Sequence, residues 1–256
     1  MNKTVCWISA GVSSFIAGYL MRHDIDEFYY IHINDQHPDS LRFIRDAEHA
    51  LGKEIVILQS RYKSVNEVLS AFRFLSQRRA ICTDVLKRRV RKEWESHNSD
   101  YAITYVWGMD STEKQRAERL METMPQYEHA FPLIEKMLTK EDAHAMCSKL
   151  GIKRPAMYDM GYRNNNCIGC LKGGMGYWNK IRKDFPDVFL SRAKQEREIG
   201  HSIFTANGKS MFLDELPIDS GMEKEPIMQE CSILCEMALD DIRLGGKNED
   251  TDIHIR

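Results

Sequence analysis

Residues 5–14 read Val-Cys-Trp-Ile-Ser-Ala-Gly-Val-Ser-Ser, so an apolar run passes directly into a loop of mostly small residues. The apolar run predicts a buried strand, and residues 15–23 predict a helix after the loop. In such a strand–loop–helix unit, backbone N–H groups and the helix N-terminus face one point and favour an anion such as phosphate. Small side chains let phosphate oxygens approach the backbone. A tight turn without a ligand has the same pattern, so the loop alone leaves both interpretations open.

Strand-like and helical segments alternate along the first half of the chain. The strand-like segments are residues 4–8, 28–33, 54–58 and 101–106, and the helical ones are 40–51, 64–75, 83–97 and 111–124. This alternation predicts an α/β fold with a Rossmann-like parallel sheet and helices on both faces. Ligands of such sheets bind beyond the carboxyl ends of the strands. We therefore expect the first loop to face Asn34, Asp35, Gly108 and Met109.

The second half of the chain has a different character. Thr139 and Asp142 form a capping pair at the start of a helix. Residues 161–176 are irregular and glycine-rich, and residues 202–212 predict a hairpin around Asn207-Gly208. We divide the chain into a nucleotide-binding domain, residues 1–136, and a C-terminal cysteine-bearing helical and hairpin subdomain with an acidic tail, residues 137–256.

Composition limits the class of protein. The chain has 256 residues, of which 43% are hydrophobic, which is enough for one large core. It contains no run of about 18 apolar residues that predicts a membrane span, and its first residues do not resemble a signal peptide. A cytoplasmic location is the resulting expectation. In that compartment, the seven cysteines are better explained as ligands or thiols than as disulfides.

The net charge of −2 is unevenly distributed. Residues 61–92 hold ten Lys or Arg and two acidic residues, whereas residues 214–256 hold twelve Asp or Glu and four basic residues. The basic segment is either a solvated helix face or a surface for polyphosphate or nucleic acid. The acidic segment fits a solubilising tail.

Cys167 and Cys170 form a C-x-x-C pair between asparagines and glycines. This composition favours a tight loop whose N–H groups face thiolate sulfur, as in zinc and iron–sulfur sites. Four-coordination needs two further ligands, and the candidates are Cys82, Cys231 and Cys235. Two reduced thiols in a glycine-rich turn are the alternative.

The loop at residues 9–14 resembles the Ser-Gly-Gly-x-Asp-Ser loop of the PP-loop ATP pyrophosphatases and the phosphoadenosine phosphosulfate (PAPS) reductases. Ala10 replaces a glycine of that pattern, and Ser13 replaces its aspartate. Further similarities follow in the family's order at residues 33–38, 82–88, 108–116, 166–174 and 178–186. The resemblance covers about two-thirds of the chain.

The resemblance implies an adenine nucleotide α-hydrolase-like fold and an enzyme that binds ATP or a PAPS-like or APS-like sulfated adenylate. Its reaction would be adenylation, or sulfur transfer or reduction. The nucleotide-binding residues that it implies are Ser9, Ala10, Gly11, Val12, Ser13, Ser14, Asn34, Asp35, Gly108 and Met109. The catalytic residues that it implies are Lys87, Arg116 and Cys231. The loss of the aspartate at position 13 affects Mg²⁺-assisted cleavage more than nucleotide binding.

The resemblance also favours Cys82 as a ligand beside Cys167 and Cys170, in a [4Fe-4S] cluster or a zinc site. The remaining ligand would be Cys231 or Cys235. The segment around Cys231 is similar to the tail that carries the nucleophilic cysteine of the reductases. Two other functions remain open, namely sulfur transfer to nucleic acid through residues 61–92 and nucleotide binding without catalysis. A homo-oligomer is compatible with the sequence.

Overall fold

The computed structural model describes residues 1–77, 80–206 and 209–221, and the backbone of a short strand at His254–Ile255. The strands are β1 (Asn2–Trp7), β2 (Glu27–Ile31), β3 (Ile55–Gln59), β4 (Ala102–Val106), β5 (Glu128–Ala130), β6 (Phe204–Ala206), β7 (Lys209–Met211) and β8 (His254–Ile255). The helices are α1 (Val12–Leu20), α2 (Asp39–Leu51), α3 (Val65–Phe72), α4 (Ile81–Thr83), α5 (Arg89–His97), α6 (Lys114–Thr123), α7 (Pro132–Glu135), α8 (Lys140–Lys149), α9 (Ala156–Asp159), α10 (Met175–Asp184) and α11 (Pro186–Ile199).

The central sheet has the strand order β5-β4-β1-β2-β3, and these five strands are parallel. The prediction of a Rossmann-like α/β fold is confirmed at this level. Strand β8 adds to β3 in the antiparallel direction. The chain builds outward from β1 to β3 and then returns to the other side of β1 as β4. The order therefore reverses between β1 and β4, which is where ligands of open parallel sheets bind.

Helices cover both faces of the sheet, because alternate side chains of each strand point to opposite sides. On one face Cys6, Phe28 and Tyr30 pack in a core with residues of α1, α2 and α8. On the other face Trp7 and Tyr105 pack with residues of α5 and α6. Burial raises the pKa of the Cys6 thiol to about 12, as expected for a core cysteine.

A third core lies beyond the sheet and contains residues of α3, α4, α10 and α11. Trp178 and Ile181 of α10 are fully buried in it. The predicted capping pair at the start of α8 is confirmed, since the Thr139 side chain accepts from Asp142 N and the Asp142 side chain accepts from Thr139 N. Helix α8 itself packs against α1 in the first core.

Part of the basic segment is internal. A π-helical turn, Asp84–Arg88, connects α4 to α5, and within it Asp84 forms a buried ion pair with Arg88. Lys87, Arg88 and Arg91 are 8%, 3% and 1% exposed. These three cations therefore do not belong to an external surface for nucleic acid. In the part of the chain that the structure describes, no helix has the length and apolar character needed to cross a membrane.

The buried carboxylate of Glu196 connects α11 to the hairpin. Its two oxygens accept from Ile203 N at 2.5 Å and from Leu213 N at 2.6 Å. Burial raises the pKa of Glu196 to about 7, although the two backbone hydrogen bonds act in the opposite direction. Glu196 therefore stabilises the structure through two backbone hydrogen bonds, and its contribution to stability depends on pH.

Replacing Glu196 by Gln leaves one acceptor oxygen for two backbone donors. We expect the free energy of unfolding to fall by about 1–3 kcal/mol. Because the pKa of Glu196 is raised in the folded state, protonation of this side chain stabilises the wild type. This contribution to the free energy of unfolding is complete below about pH 4.5 and is lost as the pH rises to about 7. Urea unfolding followed by circular dichroism should therefore show a larger difference at pH 5 than at pH 8. Exposed Glu198→Gln is the control, and a pH-independent difference for Glu196→Gln would contradict the assignment.

Candidate functional site

An open cleft lies at the carboxyl ends of β1 and β4, where the strand order reverses. It encloses about 940 Å³, including space open to solvent. One part of its lining is apolar and consists of Trp7, Ile8, Ile31, Trp107 and Met109. Another part is the small-residue loop, which contributes Ser9, Gly11, Ser13 and Ser14. The cleft therefore pairs an apolar wall with a polar loop.

The loop is closed by the Ser14 hydroxyl. Ser14 Oγ accepts from Ser9 N at 3.0 Å and donates to Gly11 O at 2.9 Å, and it lies 3.1 Å from Ser9 Oγ. Ala10 has a φ of 57°, in the left-handed region that glycine adopts more readily. Ala10 occupies a position that is glycine in the loop pattern of the PP-loop proteins. Its backbone adopts a conformation suited to glycine.

Helix α1 begins directly after the loop, with Gly11 as its N-cap. Gly11 has no side chain to cap the helix, Val12 N donates to Tyr158 Oη at 3.4 Å, and the first turn contains no acidic residue. The first N–H groups of a helix have no acceptor within the helix, and they carry the positive end of its dipole. This helix N-terminus therefore faces the cleft with donors suited to an anion.

Gly108, just after β4, packs directly on the backbone of the loop. A Cβ built on Gly108 would lie 2.4 Å from Ser14 Cα and 2.6 Å from Ser14 N. Only glycine fits this contact, which holds the end of β4 against the first turn of α1. The predicted proximity of Gly108 and Met109 to the loop is therefore observed.

Three cations from three separate elements line the cleft: Lys87 of the π-helical turn, Arg116 of α6 and Lys140 of α8. The Glu113 carboxylate accepts from Arg116 Nη1 at 2.5 Å. Among the described residues that line the cleft, none is Asp, Glu or His. The described lining therefore contains three cationic side chains and no anionic one, a composition that favours an anionic ligand.

The sequence analysis missed the Asn164-Asn165-Asn166 segment, which forms one wall of the cleft. Asn165 Nδ2 donates to Ala10 O at 2.8 Å and to Ser40 Oγ at 3.0 Å, which fixes the loop from outside. Asn164 accepts from Lys140. The signal in the sequence was three consecutive asparagines directly before the C-x-x-C pair, since amide side chains form hydrogen bonds with backbone groups in irregular segments.

Asn34 and Asp35, which follow β2, do not line the cleft. Asn34 N donates to Lys63 O at 2.9 Å, and Asp35 Oδ2 accepts from Val65 N at 2.7 Å. The chain turns after β2, so the Asp35 carboxylate faces the N-terminus of α3. Burial raises the pKa of Asp35, and the hydrogen bond from Val65 lowers it. The neighbouring residue, Gln36, lines the cleft instead.

Cys82, Cys167 and Cys170 are buried in the same core, and they are not joined in disulfides. The C-x-x-C turn is tightly held. Gly169 has a φ of 73°, and the Tyr177 hydroxyl accepts from Cys170 N at 2.9 Å and donates to Cys167 O at 3.2 Å. The fold therefore brings Cys82 into one core with a pair that is distant in sequence.

The cysteine loop adjoins the cleft. Cys167 forms a β-bridge with Gln36, and Ile168 N donates to Asp35 O at 2.7 Å. Within residues 1–77, 80–206 and 209–221, no three His, Cys, Asp or Glu side chains are arranged around a single metal ion. Cys231 and Cys235 lie outside the described residues.

Neither a protein-family model nor a curated protein matches this sequence. The residues of the cleft and of the neighbouring cysteine core are therefore the basis for assigning a function.

Replacing Gly108 by Ala forces a Cβ into the backbone of Ser14. We expect a loss of about 3 kcal/mol or more in the free energy of unfolding, because backbone cannot move aside as a flexible side chain does. Gly11→Ala is the matched control, since its Cβ would lie 3.3 Å from Ser9 Oγ and 3.4 Å from Tyr158 Oη. Chemical denaturation measures both variants. Equal stability of the two would show that the close contact is absent in solution.

Proposed function

We propose that the cleft binds an adenine nucleotide and that the protein is an enzyme of the PAPS reductase and PP-loop type. It would act by adenylation, or by sulfur transfer or reduction, on ATP or a sulfated adenylate. The main observation that supports this proposal is the loop of residues 9–14 at the N-terminus of α1, which lines the cleft together with Lys87, Arg116 and Lys140. A loop that is only a turn does not require three cations from other elements around it.

Each part of a nucleotide has a complementary part of the cleft in this proposal. Phosphate oxygens accept from the N–H groups of the first turn of α1 and from the Ser9 and Ser13 hydroxyls. The apolar wall around Trp7, Ile31 and Met109 takes the base, because a flat ring is stabilised by apolar and aromatic contact.

The proposed chemistry uses the same cations. In the ATP reaction, an oxygen of the acceptor attacks the α-phosphorus, the bond to the bridging oxygen breaks, and pyrophosphate leaves with the electron pair. Lys87 and Arg116 stabilise the negative charge that develops on the phosphate oxygens. In the reductase reaction, a thiolate attacks the sulfate sulfur, the bond from that sulfur to the bridging oxygen breaks, and the nucleotide phosphate leaves with the electron pair, so that the sulfonate stays on the cysteine sulfur. The resemblance assigns the thiolate to Cys231.

The cysteine core fits an iron–sulfur cluster in its donor chemistry. Three buried cysteines that form no disulfide, Cys82, Cys167 and Cys170, would hold it, with Cys231 or Cys235 as a further ligand. Each cysteine ligand of a [4Fe-4S] cluster binds a different iron, so the ligands need not meet at one ion as they do around zinc. We therefore favour the cluster over zinc. When bound, such a cluster supplies electrons or sulfur beside the cleft.

Lys87→Met tests the nucleotide site. Removing a charged donor from phosphate costs about 1.5–3 kcal/mol, so we expect ATP affinity to fall roughly 10- to 100-fold in isothermal titration calorimetry. Lys92→Met is the control, because Lys92 is exposed on α5 and does not line the cleft. Unchanged ATP binding by Lys87→Met would exclude this arrangement of the phosphates. Competition with adenosine 5′-phosphosulfate then distinguishes the two nucleotide classes.

The second test concerns Mg²⁺ and position 13. Because no carboxylate is found in the described lining, we expect ATP affinity to change by less than about threefold when EDTA replaces Mg²⁺. Ser13→Asp places a carboxylate beside the phosphates. We expect this variant to bind ATP at least roughly tenfold more weakly without Mg²⁺ than with it, through charge repulsion. Ser13→Asn is the neutral control, and strong Mg²⁺ dependence of the wild type would contradict the prediction.

A further inference from the structure

Gln36, in the turn after β2, is a buried amide that lines the cleft, with 6% of the residue exposed. Its backbone is held from two sides. Gln36 N donates to Ile33 O at 3.0 Å within the turn, and the residue forms a β-bridge with Cys167 of the cysteine loop. The side chain therefore starts from a backbone position that two other segments fix.

The orientation of the Gln36 amide is determined by two donors. Its Oε1 accepts from Tyr30 Oη at 2.6 Å and from Ile33 N at 3.2 Å. A backbone N–H is only able to donate, so the amide atom that faces Ile33 N is the oxygen. Tyr30 is fully buried and holds the same oxygen from a second direction. The NH2 group of the amide therefore lies on the side away from these two donors.

The NH2 group of Gln36 has no acceptor within the described part of the chain, because both hydrogen bonds of this side chain are made by its oxygen. A buried amide whose donors lack partners is unfavourable, and such donors in native proteins pair with protein, water or ligand. Since Gln36 lines the cleft, its two N–H donors are available to a ligand that binds there.

The position of Gln36 assigns it to the apolar side of the cleft. Ile31, the last residue of β2, belongs to the apolar wall, and Trp7 of the same wall pairs in register with Tyr29 of β2. The three cations of the lining come instead from the π-helical turn, α6 and α8. A neutral donor beside an apolar wall suits an uncharged acceptor such as a ring nitrogen, whereas phosphate charge is better met by cations.

We propose that Gln36 is a specificity-determining residue of the cleft, and that its NH2 group donates to a ring nitrogen of the adenine base. The inference rests on the proposed nucleotide function and deepens it, because it assigns recognition of the base to a side chain outside the loop of residues 9–14. Gln36 presents donors only, since its oxygen is already occupied. It therefore favours a base with an unprotonated nitrogen at that point and rejects one that presents N–H there.

The first test compares ATP, adenosine and inorganic tripolyphosphate as ligands of the full chain in isothermal titration calorimetry, with displacement titrations for weak binding. Gln36→Met removes the donors and keeps much of the volume. We expect its affinity for ATP and for adenosine to fall roughly 3- to 15-fold, and its affinity for tripolyphosphate to stay unchanged. Lys87→Met should show the opposite pattern. Gln115→Met is the control, because Gln115 is exposed on α6 and does not line the cleft.

The second test identifies the accepting atom with ATP analogues in which carbon replaces N1, N3 or N7 of the base. Each analogue lacks one acceptor and keeps the shape of the ring. One of the three should bind the wild type roughly 3- to 15-fold more weakly than ATP does. That analogue should lose no further affinity in Gln36→Met, because the hydrogen bond is already absent. Unchanged binding of ATP and adenosine by folded Gln36→Met, or additive losses for all three analogues, would overturn the proposal.

Tyr30→Phe tests the orientation of the amide. It removes one of the two donors to Gln36 Oε1 and retains the ring, so we expect part of the loss in affinity for ATP and adenosine and none for tripolyphosphate. Circular dichroism checks the fold of each variant. If Gln36→Met does not fold, Gln36→Glu replaces it, since a carboxylate keeps an acceptor for Ile33 N and puts oxygen where the NH2 group was. Wild-type affinity of folded Gln36→Glu for adenosine would likewise contradict the assignment.

The outcomes separate this inference from the proposed function. If the wild type binds neither ATP nor tripolyphosphate, the proposed nucleotide function fails, and the role of Gln36 fails with it. If the wild type binds ATP and Lys87→Met weakens that binding, but the Gln36 variants bind ATP and adenosine as the wild type does, the role of Gln36 alone is excluded.

Discussion

The contact between Gly108 and the backbone of Ser14 is the constraint on which the cleft depends. Two backbone segments that come from adjacent strands, β1 and β4, meet there without any intervening side chain. This contact sets the first turn of α1 against the end of β4 and fixes the direction of the N–H groups of the loop. The bond from Asn165 to Ala10 O holds the same loop from the opposite wall. The loop is therefore held mainly through backbone contacts, which explains why small residues dominate it.

Charge is arranged around this backbone frame in two separate zones. The cleft gathers Lys87, Arg116 and Lys140 without a lining carboxylate in the described chain, so it suits a polyanion. Beside the cleft, the buried guanidinium of Arg192 lies 3.9 Å from the carboxylate of Asp35. Only the turn after β2 separates the zones, because Gln36 lines the cleft and also forms a bridge with Cys167. A ligand bound in the cleft would therefore lie next to the cysteine loop.

Sequence reasoning was accurate where a local pattern controls structure. The four predicted strands and the capping pair at Thr139 are present, because apolar runs and end-capping act over a few residues. Strand β5 was missed, since a three-residue segment that reads Glu-His-Ala carries no apolar signal. The π-helical turn at Asp84–Arg88 was also missed. This turn supplies side chains both to a buried ion pair and to the cleft.

The sequence by itself determined the α/β class, the position of the first loop at the start of a helix, and the C-x-x-C turn, because each follows from neighbouring residues. Only the tertiary structure decided which residues from distant parts of the sequence contact the loop and the C-x-x-C turn. In the folded chain Asp35 faces α3, and Gln36 lines the cleft instead. Lys87 and Arg88 are buried, although the sequence of their segment predicts a basic surface. The tertiary structure also placed the buried guanidinium of Arg192 3.9 Å from the Asp35 carboxylate. Such pairings depend on how helices pack across the sheet, and burial of charge is favourable only where those helices bring a partner.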